Sequence, residues 1–295
     1  MSWIQIRAHI SADQVELVED SLLALGSLAV TLQDDADQPI LEPELGTMPV
    51  WDKTQIVGLF PASQDSDELL LGLQQMMQAA NKSLPQCKVE IVEDKDWERA
   101  WMDNFHPMQF GDRLWVCPSW REPEDASAVN LMLDPGLAFG TGTHPTTSLC
   151  LQWLDKNVDG NELILDYGCG SGILGIAGLL LGSDKMIGVD NDQQAIIATQ
   201  QNAERNKITE DQYQVYLPED TPSFESDITV ANILAGPLMT LAESIAALTK
   251  TGGKLALSGI LAEQAQQVSD IYQQWFDMEP AVQLEDWVLL QGTKR

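Results

Sequence analysis

Leu163-Ile-Leu-Asp-Tyr-Gly-Cys-Gly-Ser-Gly-Ile-Leu-Gly175 is the stretch on which the reading of the 295-residue chain turns. A short apolar run ends in Asp166, and Gly168, Gly170 and Gly172 follow at every second position. The pattern predicts a buried strand that breaks into a tight glycine turn and then a helix. Glycines in such a turn let the backbone take positive φ and come within contact distance of a ligand. The helix that follows offers free N–H groups at its start.

Outward from this turn the chain keeps a β/α rhythm. A helix over 145–154 precedes the strand 163–165, and the helix 173–181 follows the glycines. A strand at 186–189 ends in Asp190, and the helix 193–206 comes next. Strands at 213–217 and 228–231, a helix over 237–248 and a strand at 254–257 continue the alternation. Segments around 277–284 and 287–292 are expected to form an antiparallel edge pair. Strands alternating with helices imply a parallel, doubly wound α/β sheet, whose ligands sit beyond the carboxyl ends of the strands.

Residues 1–93 read differently, as β-α-β-β-α-β. Ile4, Ile6, Ala8 and Ile10 alternate with polar neighbours, which predicts a strand with one buried face. Ser11 caps a helix carrying Val15, Val18, Leu22 and Leu25, which Gly26 stops. Strands are expected at 28–32, 55–60 and 87–92. Asp65 and Glu68 form a capping box for a helix over 69–80. This order is that of the ferredoxin-like α+β motif. Residues 94–107 then read as an interdomain helix with Trp97 and Trp101 four apart on one face, ended by Pro107. An aromatic cage for a methylated amine is the sharper alternative for those tryptophans. Residues 113–118 and 129–133 look like the two strands of a hairpin. The predicted boundaries are thus 1–93, 94–107 and 108–295.

Charge bounds the partners. Sixteen Lys and Arg against 45 Asp and Glu give a net charge of −29. Phosphate-backbone binding relies on clustered cations, which this chain lacks, so direct nucleic-acid binding is not expected. A basic protein would instead be drawn in by the field; the alternative is that the acidity serves solubility alone. Cys87, Cys117, Cys150 and Cys169 are scattered without a C-x-x-C pair, and only His9, His106 and His144 accompany them. No metal site is expected, and the cysteines read as small buried apolar residues in a reducing compartment. No apolar run approaches the length that spans a bilayer, and the alternating N-terminus is unlike a signal peptide. A cytoplasmic protein follows.

Within the α/β part, Asp190 lies at the tip of the second strand, where a carboxylate can accept from both hydroxyls of a ribose. Asp192 suits a helix N-cap better. Asn232 ends the fourth strand in Val230-Ala-Asn-Ile-Leu-Ala-Gly-Pro-Leu238, and its amide can donate and accept toward a cofactor or an amine. The second glycine-rich segment, Gly136-Leu-Ala-Phe-Gly-Thr-Gly-Thr-His-Pro-Thr-Thr147, could fold over a cofactor, with Phe139 covering it, or be an exposed linker. His144 is placed either as a base or as a cap of the next helix.

Two cofactor classes use such a glycine turn. The register Gly170, Gly172, Gly175 fits the G-x-G-x-x-G of dinucleotide sites. Asp166, however, stands where a carboxylate would repel a pyrophosphate while tolerating a sulfonium and an ammonium. The D-x-G-x-G-x-G form resembles motif I of the seven-strand S-adenosylmethionine-dependent methyltransferases, whose acid faces the cationic end of the cofactor. Together with the Gly136–Thr147 segment, Gly188-Val-Asp-Asn-Asp192, Asn232-Ile-Leu-Ala-Gly-Pro-Leu238 and Trp97-Glu-Arg-Ala-Trp-Met-Asp-Asn-Phe105, it resembles the methyltransferase family of large-subunit ribosomal protein L11, the PrmA family, over essentially the whole chain.

That resemblance implies a Rossmann-like methyltransferase domain behind a small substrate-recognition domain. It places cofactor contacts on Thr147, Gly168, Asp190 and Asn232, with Asp166, Gly170 and Gly172 beside them. It implies repeated methylation of lysine side chains and the α-amino group of L11. Asn232 and the carbonyls of Ile233 and Leu234 are the candidates for orienting the amine. The absence of the N-P-P-Y of glutamine and adenine N-methyltransferases argues against a planar amide or base as acceptor. A monomer suits one cleft serving several amines. The alternatives are a ribosomal-RNA or small-molecule methyltransferase, a NAD-dependent oxidoreductase, and an assembly factor with a structural cofactor.

Overall fold

The computed structural model describes residues 2–36, 49–93, 105–134 and 144–295. It divides the chain into two compact units, Met1–Asn104 and Phe105–Arg295. The expected interdomain helix, with Trp97 and Trp101, and the expected lid segment with Phe139 lie outside the described residues.

In the first unit β1 (Ser2–Ser11), α1 (Val15–Ala24), β2 (Ala29–Asp34), β3 (Lys53–Pro61), α2 (Ser66–Ala79) and β4 (Gln86–Glu93) follow the predicted order. The sheet runs β2-β3-β1-β4, with every pairing antiparallel. Strand alternation decides which residues go inside. Ile4, Ile6, Ala8 and Ile10 of β1 join Ile56 and Phe60 of β3 against Val18 and Leu22 of α1 and Leu69, Leu73 and Met77 of α2. Both helices therefore cover one face. Gly26, at φ +90°, ends α1 as expected. Asp65 caps α2, its Oδ1 accepting from the backbone N–H groups of Asp67 and Glu68 at 2.8 and 3.2 Å.

The second unit begins with β5 (Met108–Phe110), β6 (Leu114–Cys117) and β7 (Val129–Met132). The expected hairpin of the last two is wrong: β6 and β7 run parallel, and the hairpin is β5–β6. Alternating apolar residues mark a strand but carry no direction, and the polar connection 118–128 is long enough to return the chain to its starting end. Asp155 locks the β5–β6 turn, accepting from the N–H groups of Asp112 and Arg113.

The large sheet follows. Its elements are α3 (Pro145–Asn157), β8 (Leu163–Tyr167), α4 (Ile173–Leu181), β9 (Lys185–Val189), α5 (Gln193–Arg205), β10 (Tyr213–Tyr216), β11 (Ser226–Asn232), α6 (Ala235–Thr240), α7 (Ala242–Leu248), β12 (Thr249–Leu261), α8 (Ala265–Tyr272), β13 (Phe276–Met278), β14 (Val282–Leu284) and β15 (Trp287–Lys294). The order is β10-β9-β8-β11-β12-β15-β13, with β14 also on β15. From β10 to β12 every pairing is parallel, and β15 is antiparallel to β12, β13 and β14. Ile164 and Leu165 point to opposite faces and are both fully buried, as in a sheet covered on both sides. One face packs on α3, α4 and α5. The other packs on α6, α7 and α8.

The predicted antiparallel edge pair is present: β13 and β14 both pair with β15, and β13 is the outermost strand, with β15 between it and β12. One expectation is corrected here. The predicted helix 237–248 is two helices parted at Leu241. The helix α8 lies where the sequence pattern predicts no element, being short and glutamine-rich, with only Val268 and Tyr272 fully buried.

Candidate functional site

The chemistry gathers at the carboxyl ends of β8, β9 and β11, where loops leave the sheet. The turn after β8 needs its glycines: Gly168, Gly170 and Gly172 sit at φ +76°, +55° and +76°, a region that strains residues bearing a Cβ. Backbone bonds shape it, Gly168 N–H donating to the Val189 carbonyl at 2.7 Å and Gly172 N–H to the Cys169 carbonyl at 2.7 Å. Two polar residues on the buried face of α5 brace it from beneath. Thr199 Oγ1 donates to the Gly170 carbonyl at 3.1 Å, and Asn202 Nδ2 to the Ser171 carbonyl at 2.8 Å. The sequence reading missed both braces, although polar residues at apolar positions of a helix were the available signal.

Asp190, at the end of β9, leans toward this turn. Its Oδ2 accepts from Gly170 N–H at 2.8 Å and its Oδ1 from Asp192 N–H at 3.0 Å. Asp192 is the N-cap of α5, accepting from Gln194 N–H at 2.8 Å. The separation of roles between these two acids thus follows from their backbone partners. Asp190 is fixed in place while each of its oxygens keeps a lone pair for another donor.

Asp166 is 1% exposed. Its Oδ2 accepts from Gly175 N–H at 2.9 Å, and its Oδ1 has no partner among the described residues. Burial first, with the nearby Asp190 charge adding to it, pushes its pKa up to about 7. The same burial raises the thiols of Cys150 and Cys169 well above the usual range. Those two and Cys117 are buried free thiols, whereas Cys87 is half-buried.

A carboxyl with this setting makes the fold pH-dependent. The folded chain keeps the Asp166 proton to about pH 7, whereas the unfolded chain loses it near the ordinary value of 3.8. The stability linked to this group is therefore complete below about pH 4 and is lost as pH rises through 7. Relative to Asp166→Asn, which keeps the shape without the charge, the native chain should lose about 2 kcal/mol between pH 5 and pH 7. Urea unfolding of both proteins at the two pH values measures this, and identical pH dependence would refute the assignment.

The second half of the site comes from α3 and β11. His144 is the N-cap of α3, its Nδ1 lying 2.8 Å from Thr146 Oγ1 and 3.4 Å from Thr146 N. Its ring meets Trp287 edge-on at 5.0 Å. Burial lowers its pKa, with Glu285 opposing. Of its two expected roles, the cap is the one the geometry displays. Thr147, one turn-start further on, is fully buried, and its Oγ1 accepts from Asn232 Nδ2 at 3.2 Å. Residues 85 apart in sequence thus meet in one bond.

The structure therefore assembles Asp166, Gly168, Gly170, Gly172 and Asp190 around one turn, and Thr147 and Asn232 in one pair. Ile233 joins the two groups, since a Cβ at Gly168 would collide with its Cγ2. Gly175, the third glycine of the dinucleotide register, is inside α4, where a Cβ would lie 2.7 Å from Met186 Cε and 3.3 Å from Asp166 Cβ. Such close helix–strand packing is what that register also asks of its third glycine, so the choice of cofactor rests on the acids and the strand order.

Dinucleotide-binding sheets end 3-2-1-4-5-6. Here an antiparallel strand is inserted before the last one. That order, with an acid before the glycine turn and another after it, defines an S-adenosylmethionine-dependent methyltransferase of the Rossmann-like class. The residues present fit that cofactor: an orphaned buried carboxylate oxygen, a turn with three glycines at positive φ and an anchored acid with spare lone pairs. Residues 2–295 match the family described as ribosomal protein L11 methyltransferase (PrmA), and the chain belongs to it.

Among relatives, the ribosomal protein L11 methyltransferase of Marinomonas sp. strain MWYL1 is 55% identical over 294 residues, covering 100% of this chain and 99% of that protein. That of Shewanella baltica strain OS155 is 54% identical over 302 residues, covering 100% of both chains. Among solved structures, the ribosomal protein L11 methylase of Lactobacillus delbrueckii subsp. bulgaricus superposes with a TM-score of 0.58 at 27% identity, covering 65% of this chain and 100% of that one.

Proposed function

We propose that the protein transfers methyl groups from S-adenosylmethionine to lysine side-chain and α-amino groups of large-subunit ribosomal protein L11. The observation that carries this reading is family membership over residues 2–295, which includes both the small N-terminal unit and the transferase unit. Residues 1–93 take the role of substrate recognition, 94–107 of a connecting helix and 108–295 of methyl transfer.

In this reading Asp190 accepts from the ribose hydroxyls, and Gly168, Gly170 and Gly172 allow the backbone to lie against the cofactor. Asp166, whose proton the free fold keeps to about pH 7, would ionise beside a cationic cofactor and supply negative charge beneath the turn, and Thr147 lines the site through its hydroxyl. When bound, S-adenosylmethionine supplies a methyl carbon activated by a sulfonium, whose C–S bond breaks as the N–C bond forms and whose bonding pair stays on sulfur. Asn232 orients the acceptor: with Nδ2 committed to Thr147, its Oδ1 is left to accept from an amine N–H. The carbonyls of Ile233 and Leu234 offer further acceptors. An ammonium has no lone pair, and desolvation beside these two apolar side chains favours the neutral amine. The proton then leaves to water.

The net charge of −29 attracts a lysine-bearing protein and disfavours direct contact with a phosphate backbone. A monomer working in the cytoplasm completes the reading. Among the described residues no helix is long and apolar enough to cross a membrane, and no group of three or more His, Cys, Asp or Glu residues could hold a metal ion. Incubation of the purified protein with radiolabelled S-adenosylmethionine and ribosomal protein L11 should place label on L11. Cofactor binding without transfer would overturn the proposed substrate.

A further inference from the structure

Two glycines from different strands converge on one side chain. Gly168 follows β8 at φ +76°, and Gly259 lies within β12 at φ +83°. Beside Gly259 the register of β12 against β15 shifts between Leu257 and Ile260. A Cβ at Gly168 would overlap Ile233 Cγ2. A Cβ at Gly259 would overlap the Ile233 carbonyl oxygen and lie 2.7 Å from its carbonyl carbon and 3.1 Å from its nitrogen. Gly259 thus admits the backbone of Ile233, and Gly168 admits its β-branched methyl. Ile233 itself is half-buried at the rim of the core beneath α6 and α7 rather than inside it. Asn232 immediately precedes it and pairs in register with Ser258 of β12.

We propose that Ile233 is a positioning residue: wedged between Gly168 and Gly259, its side chain sets the distance between the cofactor turn and the acceptor-orienting Asn232 loop. This rests on the methyltransferase reading above. A bond-forming step between two bound partners depends steeply on their separation, and a misplacement of about 1 Å is enough to cost roughly 100-fold in rate. The wedge therefore acts on the transfer step and not on either binding step. Its working atom is Cγ2, since a Cβ at Gly168 would overlap that methyl while staying 3.7 Å from Ile233 Cβ.

Isosteres separate this from ordinary packing. Ile233→Val keeps Cγ2 and loses only the distal methyl, whereas Ile233→Leu keeps the volume and loses the β-branch. Ile233→Leu should lower kcat roughly 10-fold, a part of the full misplacement penalty, while Ile233→Val stays within about 3-fold of the native rate. In both, the calorimetric affinity for S-adenosylhomocysteine and the KM for ribosomal protein L11 should stay within about 3-fold. Ile233→Ala also lacks Cγ2 and adds no bulk, so it carries the same comparison if Ile233→Leu does not fold. Native kcat in the variants lacking Cγ2, an equal loss in Ile233→Val, or a loss matched by weaker S-adenosylhomocysteine binding would overturn the inference. If the native protein transfers no methyl to L11, the functional reading fails instead, and the two failures are distinct.

Discussion

Asp190→Ala will weaken binding of S-adenosylmethionine by roughly 100-fold, because it removes an acceptor that the fold has already aimed. Asp190 continues the β9 strand, its own N–H donating to the Tyr216 carbonyl at 3.1 Å. Both carboxylate oxygens are held by backbone N–H groups, from Gly170 at 2.8 Å and Asp192 at 3.0 Å. Little rotamer freedom remains to be lost when hydroxyl donors arrive. Hydrogen bonds to a charged group contribute about 1.5–3 kcal/mol each, and two of them amount to about 3 kcal/mol at the low end, which is roughly 100-fold in affinity. The truncation also strips Gly170 N–H of its partner and loosens the turn itself.

Calorimetry with S-adenosylmethionine and with S-adenosylhomocysteine should show the same loss, because the ribose is common to both. Asp190→Asn keeps one acceptor oxygen and should fall between. Asp192→Ala is the control: it removes the α5 cap, costing about 1 kcal/mol of stability, and should leave the affinity as it was. Native affinity in Asp190→Ala would remove Asp190 from the cofactor site altogether.

How far the sequence foretold this arrangement depends on the range of the forces involved. Local rules were enough for the glycine turn, since positive φ at Gly168, Gly170 and Gly172 follows from what only glycine tolerates. They were enough for the caps Asp65 and Asp192 as well. The alternation of strands and helices likewise yielded the doubly wound sheet from β8 to β12. Direction and order were harder. Nothing in 129–132 says that β7 lies parallel to β6, and nothing in 287–294 says that β15 enters between β12 and β13. Those choices are made by contacts distant in sequence. The same holds for the site. Asp190 could be placed from the twenty residues separating it from Gly170. The bond between Thr147 and Asn232, the braces Thr199 and Asn202, and the seat of Ile233 against Gly259 exist only once the sheet is assembled.

Asn232→Ala should lower kcat by roughly 100-fold, the scale expected when a reacting group loses its orientation. The argument begins with the amide's two ends. Nδ2 donates to Thr147 Oγ1 at 3.2 Å, and Thr147 is fully buried at the start of α3, so the amide plane is set from outside. Oδ1 is then a fixed acceptor, and an amine that donates one N–H to it presents its lone pair in a fixed direction. Alanine leaves the Thr147 hydroxyl in place and takes only that direction away. The affinity for S-adenosylhomocysteine should therefore fall by less than about 10-fold, the cost of one neutral hydrogen bond, while single-turnover transfer to L11 falls by far more. An amide neither gives nor takes a proton near neutral pH, so the rise of rate with pH, as the acceptor amine loses its proton, should keep its shape in the variant. Thr147→Val frees the amide to turn without deleting it and should cost roughly 10-fold in kcat, the scale of one lost hydrogen bond, whereas Thr147→Ser retains the acceptor and the rate. If Asn232→Ala instead lost cofactor affinity and kcat in equal measure, Asn232 would belong to the cofactor site alone, and the amine would take its direction from the carbonyls of Ile233 and Leu234.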